Sequence, residues 1–424
     1  MLPLSSPKND AFDVLVVGAS FAGLSFAGVA AALGLHVLVV ERDAEIGGVV
    51  RTTGVLFSDV LDILDVPTRY LMNAVRRIWV QPPNQSPIEI GTRAYRFYMA
   101  DVTGMLRWMA EQAQERGAMV SGGSMFLDAS REQDGYMHVR LGGPSEPKEG
   151  RIVHTRFLVG ADGTHSVVAQ RLELERNTRF LAGAEWLVEN VPLDGETFYL
   201  VMDHQIAPGY CLWLAPHGDI AALGVAGHAR AFNPTTSLRM AQTLFKEVAD
   251  LSQMRVVRNK GGVIPTGGRL RRVYRDDERG RALLLGDAAG LCGAATGGGI
   301  YPALISGRLA AHAVASYVLD GNRGAIKAYL RNLSQAGRLG HYLRIEDWLR
   351  WVLDRMKSNA DIELLYGLFN SADGRHVLQH ALLEAPIIGM DSNFFSMLRG
   401  LLSKHPNIYS SALQAMWQRV TTRS

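Results

Sequence analysis

The chain has 424 residues, of which 47% are hydrophobic and 20% are charged. These proportions are typical of a globular protein with a large core, and they exclude a disordered chain. A formal net charge of +3 is too small to indicate nucleic acid or an anionic membrane surface as the main partner. The two cysteines, Cys211 and Cys292, are too few for a disulfide framework and favour a reducing, cytoplasmic location.

The first predicted elements form a strand–helix–strand unit. Strands are expected at Asp13–Val17 and His36–Val40, with a helix from about Ser20 to Leu33 between them. The turn into the helix reads GASFAG, and its glycines allow a sharp turn and close packing of helix on strand. Such a helix start binds the diphosphate of a dinucleotide through its free N–H groups. The residues expected to do so are Gly18, Ser20, Phe21, Ala22 and Gly23.

An acidic residue follows the second strand. Glu41 lies 18 residues after Gly23, and a carboxylate there accepts hydrogen bonds from both hydroxyls of an adenosine ribose. This favours a ribose that carries no phosphate. The next loop reads GGVVR at 47–51, where the glycines allow the backbone to approach a ligand closely. We include Arg42 and Arg51 among the expected cofactor-binding residues.

The middle of the chain is predicted to be rich in β-structure. Turn residues separate two strands at Arg77–Gln81 and Ile88–Gly91, as at the end of a hairpin. A helix with one apolar stripe is expected near Thr103–Glu115. From Glu185 to Val225 the pattern is mostly β, which indicates a sheet-based second domain inserted into the first.

Two further turns carry acidic residues at predicted strand ends. A strand at Phe157–Val159 leads into the turn GADG, where Asp162 is expected to structure the backbone beside the diphosphate–ribose arm; a plain β-turn is the alternative. A strand at Arg281–Leu285 leads into Gly286 and Asp287, whose carboxylate can accept hydrogen bonds from a polyol; an aspartate helix cap is the alternative. A polyol site added to a dinucleotide turn favours FAD over a nicotinamide cofactor.

A glycine run precedes the next predicted helix, Ile300–Leu319. The N–H groups and the dipole of this helix start would favour negative charge at the pyrimidine edge of a flavin, which is anionic when reduced. A flexible glycine loop is the alternative. The residues expected near the flavin ring are Gly297, Gly298, Gly299 and Ile300.

The predicted fold class is α/β (α+β overall), in three parts. These are a Rossmann-like FAD-binding domain at 1–75, 99–175 and 262–335, an inserted antiparallel β-sheet substrate domain at 76–98 and 176–261, and a helical C-terminal region at 336–424. Apolar residues recur at helical spacing in the last part, which predicts one buried helix face. Its members are Ile345, Trp348, Leu349, Val352, Leu353 and Met356.

Four segments together carry a family resemblance. They are 41–51, GDAAG at 286–290, TGGGIY at 296–301 and SGRLAA at 306–311. Over about residues 12–335 the chain resembles the geranylgeranyl reductase family of FAD-dependent oxidoreductases, which have the para-hydroxybenzoate hydroxylase fold. The resemblance implies FAD as cofactor, and an apolar small molecule such as an isoprenoid whose carbon–carbon double bonds are reduced by hydride from the reduced flavin.

The substrate-domain motif of that family, P-G-x-Y-x-W-x-F-P, is matched in part. The matching residues are Pro208, Gly209, Trp213 and Pro216. Cys211 stands at the tyrosine position and Ala215 at the phenylalanine position. The resemblance implies a substrate pocket that includes Tyr210, Trp213 and Tyr301.

Three functions remain open at this point. The first is the reductase. The second is an FAD-dependent monooxygenase that hydroxylates or epoxidises an organic substrate through a flavin hydroperoxide, and the third is a non-catalytic flavin- or lipid-binding protein. No second GxGxxG unit is present, so NAD(P)H or a separate electron-transfer partner is expected to act as a transient reductant. We predict no metal site and identify no catalytic side chain, and amphipathic C-terminal helices leave a peripheral membrane contact open.

Overall fold

The computed structural model describes residues 11–380 except 92, 94–96, 147, 231 and 336, together with 396, 397 and 400; at 334, 335, 337 and 338 it describes the backbone alone. The chain divides into two compact units. Unit 1 comprises the described residues of Met1–Val50, Asp101–Arg179 and Ile264–Asp347, and unit 2 comprises those of Arg51–Ala100, Phe180–Val263 and Trp348–Ser424.

The strands and principal helices follow one another along the chain. The strands are β1 (Ala11–Val17), β2 (Val37–Glu41), β3 (Val55–Phe57), β4 (Leu71–Val75), β5 (Arg77–Gln81), β6 (Ile88–Gly91), β7 (Phe97–Ala100), β8 (Met119–Gly122), β9 (Met125–Arg131), β10 (Met137–Gly142), β11 (Arg151–Gly160), β12 (Phe180–Glu189), β13 (Thr197–Val201), β14 (Leu212–His217), β15 (Ile220–His228), β16 (Arg255–Pro265), β17 (Tyr274–Asp277) and β18 (Gly280–Leu284). The helices are α1 (Phe21–Ala32), α2 (Val102–Glu115), α3 (Val167–Arg171), α4 (Pro234–Leu244), α5 (Ile300–Leu319), α6 (Gly324–Gln335), α7 (Gly337–Leu353), α8 (Asn359–Phe369) and α9 (Ala372–Gln379).

Unit 1 is built on a sheet whose central strands are parallel, in the order β18–β11–β1–β2–β8. β17 pairs antiparallel with β18, and β10 pairs antiparallel with β11 and β9. β1 and β2 are almost wholly apolar and buried, as expected for parallel strands that helices cover on both faces. Val17 at the end of β1 lies beside Gly160 at the end of β11, so two of the predicted cofactor turns start next to each other. This confirms the predicted Rossmann-like arrangement.

Unit 2 is built on a second sheet with the strand order β16–β12–β15–β14–β13–β5–β6. Its described pairs are antiparallel at β12–β15, β15–β14, β14–β13 and β5–β6, whereas β13 and β5 run parallel. A small antiparallel sheet, β3–β7–β4, belongs to the same unit. Residues 51–75, which the sequence analysis grouped with the FAD-binding domain, fall in unit 2 because β3 and β4 pair with β7.

The C-terminal region is helical as predicted through α6–α9, and the part of that prediction in residues 381–424 lies outside the described residues apart from 396, 397 and 400. The predicted apolar face is buried at Ile345 and Met356 but is wrong at Trp348, which is 45% exposed. The buried residues of α7 also include Tyr342, Leu343, Glu346 and Arg350, which recur at helical spacing. Two of these residues are charged and are held by specific hydrogen bonds, so an apolar pattern could not reveal the face.

Candidate cofactor site

The glycine-rich turn between β1 and α1 is shaped by close backbone contacts. Gly18 has φ +104°, and a Cβ atom there would lie 2.3 Å from the carbonyl oxygen of Ala161. A Cβ atom at Gly23 would lie 1.9 Å from the carbonyl oxygen of Gly18. Both positions therefore admit glycine alone, and the turn lies tightly against the start of the Asp162 turn.

The first turn of α1 is suited to bind an anion. Ser20 is the N-cap, but its hydroxyl makes no capping hydrogen bond, and the first turn contains no acidic residue. Ser20 is exposed, whereas Phe21 and Ala22 are buried behind it. The N–H groups and the positive end of the helix dipole thus remain available for a diphosphate.

Glu41 joins the glycine-rich turn to the end of β2. Its Oε2 accepts a hydrogen bond from the Ala19 N–H at 2.9 Å, and its Oε1 accepts one from the Asp43 N–H at 3.1 Å. Each carboxylate oxygen has a further lone pair, so Glu41 can also accept from ribose hydroxyls. Arg42 extends into solvent, with 54% of its side chain exposed and the Asp43 carboxylate 3.9 Å from its Nε.

Asp162 structures its own turn. Its Oδ1 accepts from the Ser166 hydroxyl at 2.6 Å and its Oδ2 accepts from the Val168 N–H at 3.0 Å, which holds the start of α3. The Ala161 N–H donates to the Val17 carbonyl at 2.8 Å and fixes this turn to the end of β1. Both carboxylate oxygens thus accept hydrogen bonds from the residues that follow Asp162, so this side chain structures the backbone of the turn as predicted.

The second acidic turn follows β18. Gly286 has φ +54°, and the Asp287 Oδ2 accepts from the Thr164 hydroxyl at 3.3 Å. The Asn177 amide donates to the main-chain oxygens of Asp287, at 2.8 Å, and Thr164, at 3.1 Å. A Cβ atom at Gly299, at the start of α5, would lie 3.3 Å from the other carboxylate oxygen of Asp287, Oδ1. The structure therefore brings the Asp287 carboxylate and the start of α5 together, and the sequence analysis missed Thr164 and Asn177.

The titration of Asp287 should control cofactor affinity. Burial raises the pKa of Asp287 to about 6, and the Thr164 hydroxyl opposes this shift. Polyol hydroxyls that donate to the carboxylate would lower its pKa in the complex towards the ordinary value of about 3.9, because they stabilise the charged form. Affinity for FAD is then complete above pH 6 and falls as the pH drops below it, by about tenfold at pH 5.

This prediction is checked by titrating the apoprotein with FAD between pH 7.5 and pH 5. The Asp287→Asn variant is the control, since it has no carboxylate to titrate. It should bind FAD about tenfold more weakly than the parent at pH 7.5 and show no fall between pH 7.5 and pH 5. An equal pH dependence in parent and variant would rule out Asp287 as its source.

The glycine run before α5 is held by two residues that the sequence analysis missed. Gly299 is the N-cap, no side chain caps this 20-residue helix, and its first turn contains no acidic residue. Tyr342 donates its hydroxyl to the Gly298 carbonyl at 3.1 Å, and Glu346 accepts from the N–H groups of Ala295 and Thr296 at 2.9 Å. Burial raises the pKa of Glu346, and these hydrogen bonds oppose the shift.

Three of the predicted site residues, Arg51, Tyr210 and Trp213, lie in unit 2. Arg51 is exposed at the start of that unit, and Tyr210 is half-buried beside the Pro208–Gly209 turn. Trp213 is buried and donates its indole N–H to the Glu185 Oε2 at 3.0 Å. Tyr301 is buried in unit 1, so that the three predicted pocket residues are divided between the units.

A buried charged cluster surrounds the indole nitrogen of Trp213. The Lys260 Nζ lies 3.1 Å from the Glu185 Oε1, and the Thr53 hydroxyl donates to the Oε2 at 2.5 Å. Glu185 and Trp213 are both paired with Gly224 on neighbouring strands, so the indole ring reaches Glu185 across a position without a side chain. The ring is therefore held in one orientation by packing and by a hydrogen bond.

Neither cysteine is poised for redox chemistry. Burial raises the pKa of Cys211 to about 12. Burial also raises the pKa of Cys292, and the carboxylates of Asp287 and Glu346 raise it further. Both therefore stay protonated near neutral pH, whereas reactive cysteines need the thiolate.

The described residues contain neither a metal-binding cluster nor a helix suited to cross a membrane. Within this part of the chain, no group of three or more His, Cys, Asp or Glu side chains is arranged to hold a metal ion. Among the same residues, no helix combines the length and the hydropathy that a membrane crossing requires.

The turns at the carboxyl ends of β1 and β18 suit two parts of a flavin dinucleotide. The first suits the diphosphate and the second suits the polyol chain, as in a flavoprotein. The chain belongs to the FAD-binding domain family, whose model matches residues 11–325. It is an FAD-dependent oxidoreductase that resembles the geranylgeranyl reductases.

Individual relatives agree with this assignment. The chain is 28% identical to a digeranylgeranylglycerophospholipid reductase 2 of Methanothermobacter thermautotrophicus, over 73% of this chain and 80% of the relative. It is 26% identical to a geranylgeranyl diphosphate reductase of Rhodobacter capsulatus, over 82% and 85%. A geranylgeranyl bacteriochlorophyll reductase-like protein of Thermoplasma acidophilum has the same fold, with a TM-score of 0.76 and 19% identity over 96% of this chain and 99% of that one.

Proposed function

We propose that this protein reduces carbon–carbon double bonds of an isoprenoid or a similarly apolar chain. When bound and reduced, FAD would be the source of the hydride for one carbon of the double bond, and a side chain or water would provide the proton for the other carbon. The observation that supports this most is the likeness to relatives that are named as reductases of geranylgeranyl substrates, over more than two thirds of both chains. NAD(P)H or an electron-transfer partner is proposed to supply the electrons.

The residues of unit 1 are proposed to bind and polarise the cofactor. The uncapped start of α1 binds the diphosphate, Glu41 binds the ribose, and Asp287 binds the polyol chain. The uncapped start of α5 favours negative charge at the pyrimidine edge of the ring. This last contact raises the tendency of the flavin to accept electrons, because the reduced form carries the charge.

The residues of unit 2 are proposed to position the substrate. Trp213 and Tyr210 stand in the part of the chain that matches the substrate motif, and the fixed indole of Trp213 provides a rigid apolar wall. An apolar chain of this kind partitions into lipid, so a cytoplasmic protein that contacts a membrane surface peripherally fits the proposal.

The proposal is tested on the FAD-loaded protein, reduced by dithionite under strict anaerobiosis. Geranylgeranyl diphosphate and a geranylgeranylated glycerolipid serve as the probes, and mass spectrometry follows the products. Each reduced double bond should add two hydrogens. In D₂O both should be deuterium, because dithionite supplies only electrons and the hydrogen on the reduced flavin then comes from the solvent. The same incubation without protein is the control.

Two outcomes would contradict the proposal. One is the absence of reduced product from both probes although the flavin has been reduced. The other is incorporation of oxygen-18 from labelled dioxygen in aerobic turnover, which would support the monooxygenase alternative.

A further inference from the structure

The first part of helix α7 packs against the loop that precedes α5 in unit 1. It begins at Gly337, beyond the residues that the family model matches, which end at 325. Tyr342 and Glu346 lie one helical turn apart, and they are 3% and 0% exposed. Both contact the loop 293–298, which leads directly into the start of α5.

Glu346 holds the first half of this loop. Its Oε2 accepts from the N–H groups of Ala295 and Thr296, both at 2.9 Å, and its Oε1 accepts from the Thr296 hydroxyl, also at 2.9 Å. The same hydroxyl oxygen accepts from the Gly298 N–H at 3.3 Å. One buried carboxylate therefore fixes the loop directly at two residues and indirectly at a third.

Tyr342 holds the second half. The Gly298 carbonyl accepts from the Tyr342 hydroxyl at 3.1 Å and from the Gly293 N–H at 3.0 Å. A Cβ atom at Gly293 would lie 2.3 Å from the Tyr342 Oη and 2.9 Å from the Glu346 Oε2, so α7 could not come this close to any other residue type. The glycine and the two α7 side chains thus act as one fitted contact.

The Glu346 carboxylate has a specific structural effect in this place. Burying a carboxylate is unfavourable unless hydrogen bonds offset the lost hydration, and an apolar residue here would remove the acceptor for two N–H groups and a hydroxyl of the loop. The carboxylate does something that an apolar residue cannot do, which is to hold two consecutive N–H groups and a hydroxyl in one orientation.

We propose that Glu346 is a positioning residue for the flavin, acting through the loop 293–298 to aim the N-terminus of α5 at the pyrimidine edge of the ring. This inference rests on the proposed function, because it assumes that FAD occupies unit 1. Glu346 itself does not touch the ring. Its effect is to hold the N–H groups of the α5 start where they stabilise the reduced flavin more than the oxidised one.

Two substitutions at this position separate geometry from charge. Glu346→Gln loses the charge but retains the length and one oxygen that accepts from the two N–H groups, while its amide NH₂ donates to the Thr296 hydroxyl oxygen instead of accepting from it. Glu346→Asp retains the charge but is one methylene too short to reach the loop. Asp347→Asn is the matched control, because it removes a carboxylate from the adjacent residue of α7, whose side chain is not among the acceptors of the loop N–H groups. For each protein we would measure the Kd for FAD and the two-electron midpoint potential of the bound flavin.

The positioning role predicts that the Asp variant binds FAD about tenfold more weakly than the parent, and the Gln and Asp347→Asn variants bind within about twofold of it. It also predicts that reduced flavin loses about tenfold more affinity than oxidised flavin in the Asp variant, which places its potential about 30 mV below that of the parent. The Gln variant should not show this fall. If the Asp variant does not fold, Tyr342→Phe replaces it, with an expected threefold loss of FAD affinity and a lower potential.

Two results would overturn the inference, and a third would overturn the proposed function. Equal potentials in the Asp and Gln variants, with only the melting temperature lowered, would show a purely structural role. A larger effect in the Gln variant than in the Asp variant would show that the charge matters rather than the geometry. A parent protein that takes up no FAD would overturn the proposed function itself. This outcome is recognised before any variant is compared.

Discussion

Replacing Ser20 with aspartate should yield a protein that folds normally but no longer binds FAD. Ser20 is an exposed N-cap whose hydroxyl makes no capping hydrogen bond, so an aspartate there would improve the cap and complement the helix dipole. The same carboxylate would stand where the diphosphate is expected to bind. Repulsion between charges about 4 Å apart at a protein surface is worth roughly 4 kcal/mol, so we expect a loss of at least about a hundredfold in FAD affinity.

The measurement is a fluorescence titration of each apoprotein with FAD, paired with thermal unfolding of the apoprotein. Ser20→Ala is the matched control, and it should change neither quantity appreciably because the hydroxyl has no capping role to lose. An aspartate variant that binds FAD as tightly as the parent would show that the diphosphate does not lie at the start of α1. A melting temperature below that of the parent would show that aspartate at position 20 does not improve the N-cap of α1.

Replacing Lys260 with methionine should strongly destabilise unit 2. The Lys260 and Glu185 side chains are only 9% and 6% exposed, and they lie on the neighbouring strands β16 and β12. Removal of the ammonium group leaves a buried carboxylate without its counter-charge, which costs about 3–5 kcal/mol. Adding Glu185→Gln should restore most of this loss, since the amide oxygen still accepts from Trp213 and Thr53 while the charge is gone.

Urea denaturation of the two single variants and the double variant gives the coupling free energy between the two residues. The chain offers a control on the same two strands, because Arg255 and Glu189 form an ion pair that is 66% and 36% exposed. Arg255→Met should cost less than about 1 kcal/mol, as is usual for an exposed pair. If Lys260→Met is no more destabilising than Arg255→Met, the buried pair does not have the importance assigned to it here.

Elements with clear local patterns could be predicted closely. α5, β5 and β6 begin and end at the predicted residues, and α1 differs by one residue at each end. Their boundaries are marked by glycine or by turn residues, and β5 and β6 alternate buried residues with half-buried or exposed ones. β16 was missed because its first half is exposed, with Val256 and Val257 adjacent to each other between two arginines, and two glycines interrupt its second half. No alternation of apolar and polar residues therefore marks it as a strand.

The residues of the candidate site also differ in whether the local sequence could reveal them. Gly18, Glu41 and Asp287 were found because each stands at a fixed distance from a strand end, which is a property of the local sequence. Glu346 and Asn177 were missed because their partners are remote: Glu346 is 50 residues from Thr296, and Asn177 is 110 residues from Asp287. A carboxylate beside the buried Ile345 is the signal that could have indicated Glu346, but the predicted face placed Trp348 on the buried side instead.

The turns after β1 and β18 are proposed to bind one FAD. This binding is measured by equilibrium titration of the apoprotein with FAD, followed by flavin fluorescence and by the visible spectrum of the protein after gel filtration. We expect saturable binding of one FAD per chain and a yellow protein that retains the flavin through the column. A protein that stays colourless, with flavin fluorescence unchanged at every concentration, would contradict it.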